Sequence, residues 1–483
     1  MYRKRPMVIA ICRTGPLNAA ALGRWLLVAV LLCVAIGDTR AGNPGTGGAE
    51  RPPALQLPST GHTTVRWMGH WLHNDLRDSL FREVAREFAF LHPELNLHVR
   101  FPPEIMGHRS KVTTARYIAD CIRGDSLRWD ILWMDDHIYS NVADELGDNE
   151  WARKHLVDFE QVPGFVEAHK PFIVSDPTYR HQTGGILVGP YVEGYYLALW
   201  YNDSIATRLG IAVKQRGMTF DDLLGYAAAV HAHNNAKGDS VALFYESVDW
   251  FTLEMLFQSL VKSHIGDYGE ATRADAYTPR KRDALRAGLE CFEALGRYRP
   301  LIESHDRNRW VDTRHLVLND EALFYCHGTW MYNLWREIDK QRMTRMVPAE
   351  LPVLRPVDFA LGGYIPSFAV NRHSPVREQA IDVLMWWCRP EVAEKWVSYT
   401  KNPTGLRGNV VTSTLGDDVY GRFQSYMTTR YRGRVHYTAD AGYLLGAANA
   451  SLFSELNGLL RLLLMGRIDA ESAFQAIELR MRR

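Results

Sequence analysis

Residues 63–101 read TTVRWMGHWLHNDLRDSLFREVAREFAFLHPELNLHVRF and decide the fold. The first six residues alternate and are rich in β-formers, which predicts a strand. Apolar residues then recur at helical spacing up to Pro93, which predicts a helix, and Asn74 or Asp75 is its expected N-cap. Residues 95–101 alternate again and predict a second strand. Two strands joined by a helix in this way favour a parallel pair with a right-handed crossover.

Strands and helices keep alternating through the rest of the chain. Further strands are predicted at residues 129–134, 185–190, 195–201 and 241–245. Helices are predicted at residues 109–123, 219–234, 249–263, 280–297, 329–340, 375–388, 390–400 and 449–465. This alternation predicts an α/β protein with helices on both faces of its sheets, and 483 residues are enough for two lobes.

The composition is that of a soluble globular protein, with 46% apolar and 23% charged residues. The formal net charge is +1, so no overall field attracts nucleic acid or an anionic membrane. Nucleic acid is therefore not an expected partner. The 14 Trp and 22 Tyr residues matter because exposed aromatic faces often grip ligands.

The N-terminus has the features of a secretory signal peptide. Basic residues 3–5 precede the apolar run 25–36, and small residues follow it up to Ala41. We expect residues 1–41 to be the signal peptide, cleaved near Ala41 to give a periplasmic or extracytoplasmic product. An uncleaved anchor is the open alternative, although the run is short for a membrane span. The Gly- and Pro-rich residues 42–62 are expected to form a flexible leader.

Four cysteines remain after this cleavage, and they form no C-x-x-C motif. An oxidising compartment permits disulfides and four cysteines allow three pairings, so disulfides and free thiols both stay open. The four are Cys121, Cys291, Cys326 and Cys388.

Several short motifs follow one another in a characteristic order. They are WMGHW at 67–71, WDILWMDD at 129–136, GGILVGPY at 184–191, LWYN at 199–202, GTW at 328–330, GGY at 362–364 and LMGRIDAESA at 464–473. In this order, over about residues 63–480, the chain resembles the bacterial extracellular solute-binding proteins of family 1, the maltose-binding-protein-like receptors of ABC importers.

The resemblance implies a type II periplasmic-binding-protein fold, with two α/β lobes, each a sheet flanked by helices, and a ligand cleft between them. Hinge crossings are expected near Val192–Glu193, near Gly362–Gly363, and near residue 415. The implied lobes are residues 63–192 plus 364–415 for lobe 1 and residues 193–363 plus 416–483 for lobe 2.

The resemblance also implies a function. The protein would be the substrate-binding component of an ABC importer and capture a monosaccharide, an oligosaccharide or a sugar derivative by closure of the cleft. Its partners would be this ligand and the membrane permease and ATPase subunits of the importer. A monomer is expected, with no catalytic residue, no metal and no cofactor.

Sugar chemistry points to candidate residues at strand ends and at the hinge. Aromatic rings suit the C–H faces of a sugar, and carboxylates and amides suit its hydroxyl edge. Ligands of open α/β sheets bind at strand ends. The strand-end candidates are His70, Trp71, Asp135, Asp136, Glu246 and Trp250. The hinge candidates are Tyr191, Glu193, Tyr195, Gly363 and Tyr364.

Two further candidates and one competing role complete the list. Trp330 resembles the stacking aromatic that follows a Gly-rich turn in this family, and Arg407 lies beyond the second crossing. Asp135 or Asp136 also suits the N-cap of the next helix, so that one caps while the other faces the cleft.

Two departures from the family pattern leave the ligand open. The tripeptide Gly-His-Trp at 69–71 is bulky, and Asp135-Asp136-His137 joins two acids to an imidazole. A polyamine or a phosphate-bearing polyol is the alternative ligand, and a sensory role is the alternative to transport. A carbohydrate-active enzyme is the remaining alternative, although no G-x-S-x-G, H-E-x-x-H or phosphate-binding loop motif is present.

Overall fold

The computed structural model pairs the two strands of the predicted β-α-β unit in parallel within one sheet. It describes residues 63–71, 75–106, 111–176, 179–180, 183–238, 240–272, 277–408, 415–431, 433–437 and 450–481. The predicted signal peptide, the leader and the residues before the third predicted crossing, 409–414, lie outside the described residues.

The strands and helices are numbered in chain order. The strands are β1 Thr63–Met68, β2 Leu95–Arg100, β3 Ile131–Trp133, β4 Glu193–Asn202, β5 Ala242–Phe244, β6 Ala322–Gly328, β7 Met346–Ala349, β8 Ala360–Ile365, β9 Phe368–Val370 and β10 Val435–Tyr437.

The helices fall between these strands and after them. They are α1 Asp75–Leu91, α2 Pro102–Met106, α3 Lys111–Arg123, α4 Asp136–Leu146, α5 Trp151–His155, α6 Phe165–Ala168, α7 Pro171–Ser175, α8 Asp203–Leu209, α9 Phe220–Lys237, α10 Leu253–Ile265, α11 Tyr268–Thr272, α12 Pro279–Gly296, α13 Trp310–Leu316, α14 Met331–Ile338, α15 Lys340–Met343, α16 Arg377–Trp387, α17 Pro390–Thr400, α18 Val419–Arg430, α19 Ala450–Leu464 and α20 Ala470–Met481. Short 3₁₀ turns lie at Phe159–Gln161, Glu303–Asp306 and Val317–Asn319.

The first sheet has the strand order β2-β1-β3-β9. Strand β1 pairs in parallel with β2 and β3, and β9 pairs antiparallel with β3. Helix α1 is amphipathic, and it buries Leu80, Phe81, Val84 and Phe88 against this sheet. The predicted parallel β-α-β unit is confirmed.

The second sheet is built around the long strand β4, in the order β10-β8-β4-β6-β5. The first half of β4 pairs antiparallel with β8, and its second half pairs with β6 and with β7. Strand β8 lies close to β4 at Gly362, where a Cβ atom would come within 2.2 Å of the Tyr195 carbonyl oxygen. Glycine is therefore required at this point of the paired strands.

Both sheets carry buried side chains on their two faces, which confirms the predicted α/β fold. On β4, Leu197 and Leu199 pack towards α9, α10 and α12, while Ala198 and Trp200 belong to the other core. The strands of the first sheet come from residues 63–133 and 368–370, and those of the second from residues 193–365 and 435–437. The exact lobe limits given above stay a prediction.

One predicted strand is wrong, because residues 185–190 do not form one. Gly184 and Gly185 adopt φ values of 69° and 84°, in the left-handed region that interrupts an extended strand. The backbone N–H of Leu187 donates to the Asp158 carboxylate, so this segment bonds to a side chain instead of to a neighbouring strand.

The sequence left open whether the four cysteines outside the predicted signal peptide form disulfides. In this structure all four are free thiols. Burial raises the pKa of the Cys291 thiol to about 12. Across the described part of the chain, every helix is too short or too polar to cross a bilayer.

Candidate ligand-binding site

Aromatic rings meet where β6 ends and β4 begins. Trp330 follows β6 directly, and its ring lies over Gly328, where a Cβ atom would fall 2.0 Å from the ring. The Trp330 ring contacts Tyr195 edge-on at 4.7 Å between centroids and His327 at 5.1 Å. The glycine thus lets the indole lie flat on the strand end.

Two further tryptophans extend this group of rings. Trp250 lies 4.8 Å from the His327 ring and 5.4 Å from Trp310. Trp250 is 37% exposed, and Trp310, Trp330 and Tyr195 are half-buried, so ring surface stays accessible. We call Tyr195, Trp250, Trp310, His327 and Trp330 the aromatic cluster.

A buried carboxylate holds the loop that carries Trp250. Glu246 accepts hydrogen bonds from the backbone N–H groups of Ser247, Thr252 and Leu253, at 2.8, 3.0 and 3.0 Å. The carboxylate thereby caps the N-terminus of α10, where negative charge is favourable. The Ser247 hydroxyl in turn donates to the Trp250 carbonyl oxygen at 2.7 Å.

The protonation of Glu246 is shifted by its surroundings. Burial raises its pKa to about 7, against the opposing effects of the nearby Arg461 charge and the backbone donors. Arg461 also donates to the Ser247 carbonyl oxygen, so it ties helix α19 to the same loop.

Asp249 and His327 fix Trp310 in the aromatic cluster. The backbone N–H of Trp310 donates to Asp249 at 2.6 Å, and Arg309 contacts the other oxygen of this carboxylate at 3.4 Å. The Trp310 indole N–H donates to Nε2 of His327 at 3.1 Å. Burial lowers the pKa of His327 to about 3, so its ring is a neutral acceptor.

A second group of predicted residues meets at the start of β4. Glu193 accepts from the Trp71 indole N–H at 3.0 Å and from Arg77 Nη1 at 2.9 Å. His70 lies 4.0 Å from the same carboxylate and stacks on Trp133 with centroids 4.5 Å apart. We call His70, Trp71, Arg77 and Glu193 the junction cluster, because it joins elements of the two sheets.

The junction cluster is buried. Trp71 is 1% exposed, adopts a φ of 66° and packs against Phe368, Trp387 and Trp396. A positive φ at a bulky residue costs roughly 1–2 kcal/mol, so the surrounding contacts must hold this conformation.

The adjacent acids of the first sheet have a structural role at α4. Asp135 accepts from the backbone N–H of Ile138 at 2.8 Å as the N-cap and pairs with Lys111 at 2.8 Å. Burial opposes its ionisation, but Lys111 and His137 hold its pKa below the ordinary value. Asp136 begins the helix, and its side chain lies outside the described part of the structure.

The remaining predicted residues lie in or near the core. Tyr191 and Tyr364 are buried, and Gly363 pairs with Tyr195 in the sheet. Arg407 is exposed and donates from Nε to the His169 carbonyl oxygen at 2.7 Å.

The structure therefore separates the predicted residues into groups. Tyr195, Trp250 and Trp330 come together in the aromatic cluster, and His70, Trp71 and Glu193 come together in the junction cluster. Two cavities of about 130 and about 730 Å³ in the described structure lack every predicted site residue. Ligand contact by the predicted residues stays a prediction.

Sequence reasoning missed Trp310, His327 and Arg77. One usable signal is the spacing of Tyr325 and His327, because residues two apart in a strand share one face, here just before the Gly328 turn. Trp310 follows three polar residues outside any predicted element, so no pattern indicates it.

Two helix-flanked sheets, between which the chain passes before β4 and again between β8 and β9, are the architecture of a two-lobed periplasmic binding protein. The family described as bacterial extracellular solute-binding protein matches residues 114–413, and the chain belongs to this family.

Solved structures share the fold at low identity. The GacH receptor of Streptomyces glaucescens, solved unliganded and with acarbose, is 14% identical, with a TM-score of 0.64 over 87% of this chain and 97% of its own. Apo RafE of Streptococcus pneumoniae is 12% identical, with a TM-score of 0.61 over 90% and 100%. Maltose-bound MalE3 of T. maritima is 14% identical, with a TM-score of 0.60 over 87% and 98%. No curated protein sequence matches significantly.

Proposed function

We propose that this protein is the substrate-binding component of an ABC importer and captures a small carbohydrate, a mono- or oligosaccharide or a sugar derivative. The lobes close around the ligand, because a ligand that touches both lobes only in the closed form shifts the population towards it. The closed form then delivers its cargo to a membrane permease driven by ATPase subunits.

The aromatic cluster is the observation that carries this proposal. Packing on Gly328 orients Trp330, and Asp249 and the neutral His327 orient Trp310, before a ligand arrives. Rigid, accessible indoles suit the C–H faces of sugar rings at low entropic cost. The names of the similar structures support the same ligand class, since they include acarbose and maltose complexes.

The carboxylates near the rings support binding rather than catalysis. Glu246 caps a helix and Asp249 holds Trp310, so both already have backbone partners. A glycosidase needs two carboxylates free to act on either side of the scissile bond. The proposal therefore assigns no catalytic residue.

The cellular context is part of the proposal. Cleavage near Ala41 releases the folded chain into the extracytoplasmic space, where it acts as a monomer. Membership of an extracellular family supports this location.

Calorimetric titration with a panel of neutral sugars, sugar phosphates and polyamines tests the ligand class. We predict that Trp330→Ala and Trp250→Ala each weaken binding of the carbohydrate found in this screen about 30-fold. Each variant removes about 80 Å² of apolar contact, worth about 2 kcal/mol.

Trp386→Ala is the matched control, because Trp386 is also half-buried but packs against Phe88 and Arg389 on the first sheet. The Trp386→Ala variant should bind the carbohydrate with the affinity of the wild type. Binding of a polyamine but no carbohydrate, or equal losses in all three variants, would reject the proposal.

A further inference from the structure

A cavity of about 130 Å³ lies beside the second sheet, and no residue of the aromatic cluster lines it. Apolar side chains form most of its wall, among them Met218, Val353, Phe359, Leu361 and Met427. One water needs roughly 10–15 Å³ of such volume, and an apolar cavity of about 150 Å³ holds benzene. The space is therefore large enough for one small organic molecule.

A single buried carboxylate lies at one end of this cavity. Glu350 is 6% exposed, and it accepts from the Tyr431 hydroxyl at 2.5 Å and from the backbone N–H of Gly217. The Tyr426 hydroxyl is a third donor. The three donors leave acceptor capacity on the carboxylate, which has about four acceptor sites. Among the described residues no basic side chain forms an ion pair with Glu350, although a buried carboxylate without a counter-charge is costly.

The aromatic rings around Glu350 favour a cationic ligand that would supply its counter-charge. Tyr426 and Tyr431 both line the cavity. Burial raises the pKa of Tyr426, and the Glu350 charge and hydrogen bond add to this shift, so the phenol stays neutral beside the carboxylate. Aromatic faces next to a carboxylate are the chemistry that recognises an ammonium group.

Two arginines restrict which cation fits. Arg430 lines the cavity with its guanidinium 5.3 Å from the Tyr431 ring, and Arg216 lies 4.3 Å over Tyr426 from outside. A second positive charge on the ligand would be repelled by Arg430 in the cavity wall. The ligand should therefore carry one ammonium group on a short apolar body.

We infer that this cavity is a second ligand site, which binds a small monoamine through an ion pair with Glu350. The amine body packs against Met218 and Phe359, and the ammonium group donates to the free acceptor sites of the carboxylate. The cavity is bordered by Leu197 of β4 and Leu361 of β8, which are neighbouring strands of the second sheet. This inference is independent of the carbohydrate proposal.

n-Butylamine, n-butanol and 1,4-diaminobutane serve as probes in calorimetric and thermal-shift titrations of the full chain. We predict saturable binding of n-butylamine that raises the melting temperature, with affinity at least about tenfold above that of n-butanol. 1,4-Diaminobutane should bind more weakly than n-butylamine because of Arg430.

Glu350→Gln should weaken n-butylamine binding at least about tenfold, since the charge-assisted hydrogen bond is lost. Glu337→Gln, at an exposed carboxylate, is the matched control and should bind like the wild type. Val357→Phe fills the cavity from its wall, leaves Glu350 in place and should abolish binding, so the test survives if Glu350→Gln fails to fold.

Absence of saturable n-butylamine binding, equal affinity for n-butanol, or unchanged binding in Val357→Phe would overturn the inference. Carbohydrate titration of Glu350→Gln and Val357→Phe separates the two proposals. Both variants should keep the wild-type response to the sugar, because neither residue belongs to the aromatic cluster.

Discussion

At the residue scale, Glu246 couples the loop that carries Trp250 to protonation. Its carboxylate is fully buried beneath the loop that presents Trp250, and three backbone N–H groups bind it. Burial nevertheless raises its pKa to about 7, so the folded state holds this proton more tightly than the unfolded chain. The stability that it contributes is fully present below pH 4.5 and is lost as the pH rises towards 7.

Glu246→Gln removes this titration. Between pH 4.5 and 7.5 we predict that the free energy of unfolding of the wild type falls, relative to that of the variant, by about 3 kcal/mol. Urea denaturation of both proteins across this range measures the difference. Parallel pH profiles would show that Glu246 does not titrate in this window.

Single residues also show where sequence reasoning stops. Trp71 follows the end of the predicted strand β1, and Trp330 follows the end of β6, which only the structure shows. The sequences around the two tryptophans are similar in pattern. Trp71 is buried because Phe368, Trp387 and Trp396 cover it, and these residues lie about 300 positions away in the chain. Local spacing cannot predict contacts with residues so distant in the sequence. A buried and an exposed tryptophan at a strand end therefore have the same local sequence pattern.

At the element scale, the junction cluster links α1 to the start of β4. Arg77 projects from α1 and Glu193 is the first residue of β4, so their ion pair connects the first sheet's crossover helix to the second sheet. Both side chains are at most 8% exposed. Loss of one partner of such a pair leaves an uncompensated buried charge.

Arg77→Met should lower the free energy of unfolding by about 3–5 kcal/mol, because Glu193 loses its cation. Arg82→Met is the control on the same helix, since its pair with Asp78 is half-exposed and worth at most about 1 kcal/mol. Chemical denaturation measures both. Equal losses would mean that the buried pair contributes no more than an ordinary surface pair.

Elements with strong periodicity were predictable, and those defined by distant partners were not. The helix at residues 390–400 has the predicted bounds, whereas the helix predicted at residues 249–263 begins only at Leu253, because Glu246 caps it there. Strand β6 was not predicted as a strand, since its short buried run ALFYCHG lacks alternation and is paired on both sides.

At the scale of the whole molecule, the order of motifs predicted the fold, although no single motif was specific. Seven weak signals along about 400 residues indicated two α/β lobes, and the structure has two helix-flanked sheets, between which the chain passes before β4 and again between β8 and β9. The aromatic cluster was less predictable. Its rings come from β4, β6, the loop before α10 and the start of α13, and only the folded sheet brings them together.

The crystal structure of the complex with the tightest-binding carbohydrate tests the central claim most directly. A sugar ring should lie with its C–H face within about 4–4.5 Å of the Trp330 or Trp250 indole, between the two lobes. A ligand bound at another surface, with both indoles free of it, would contradict the assignment of the aromatic cluster as the binding site.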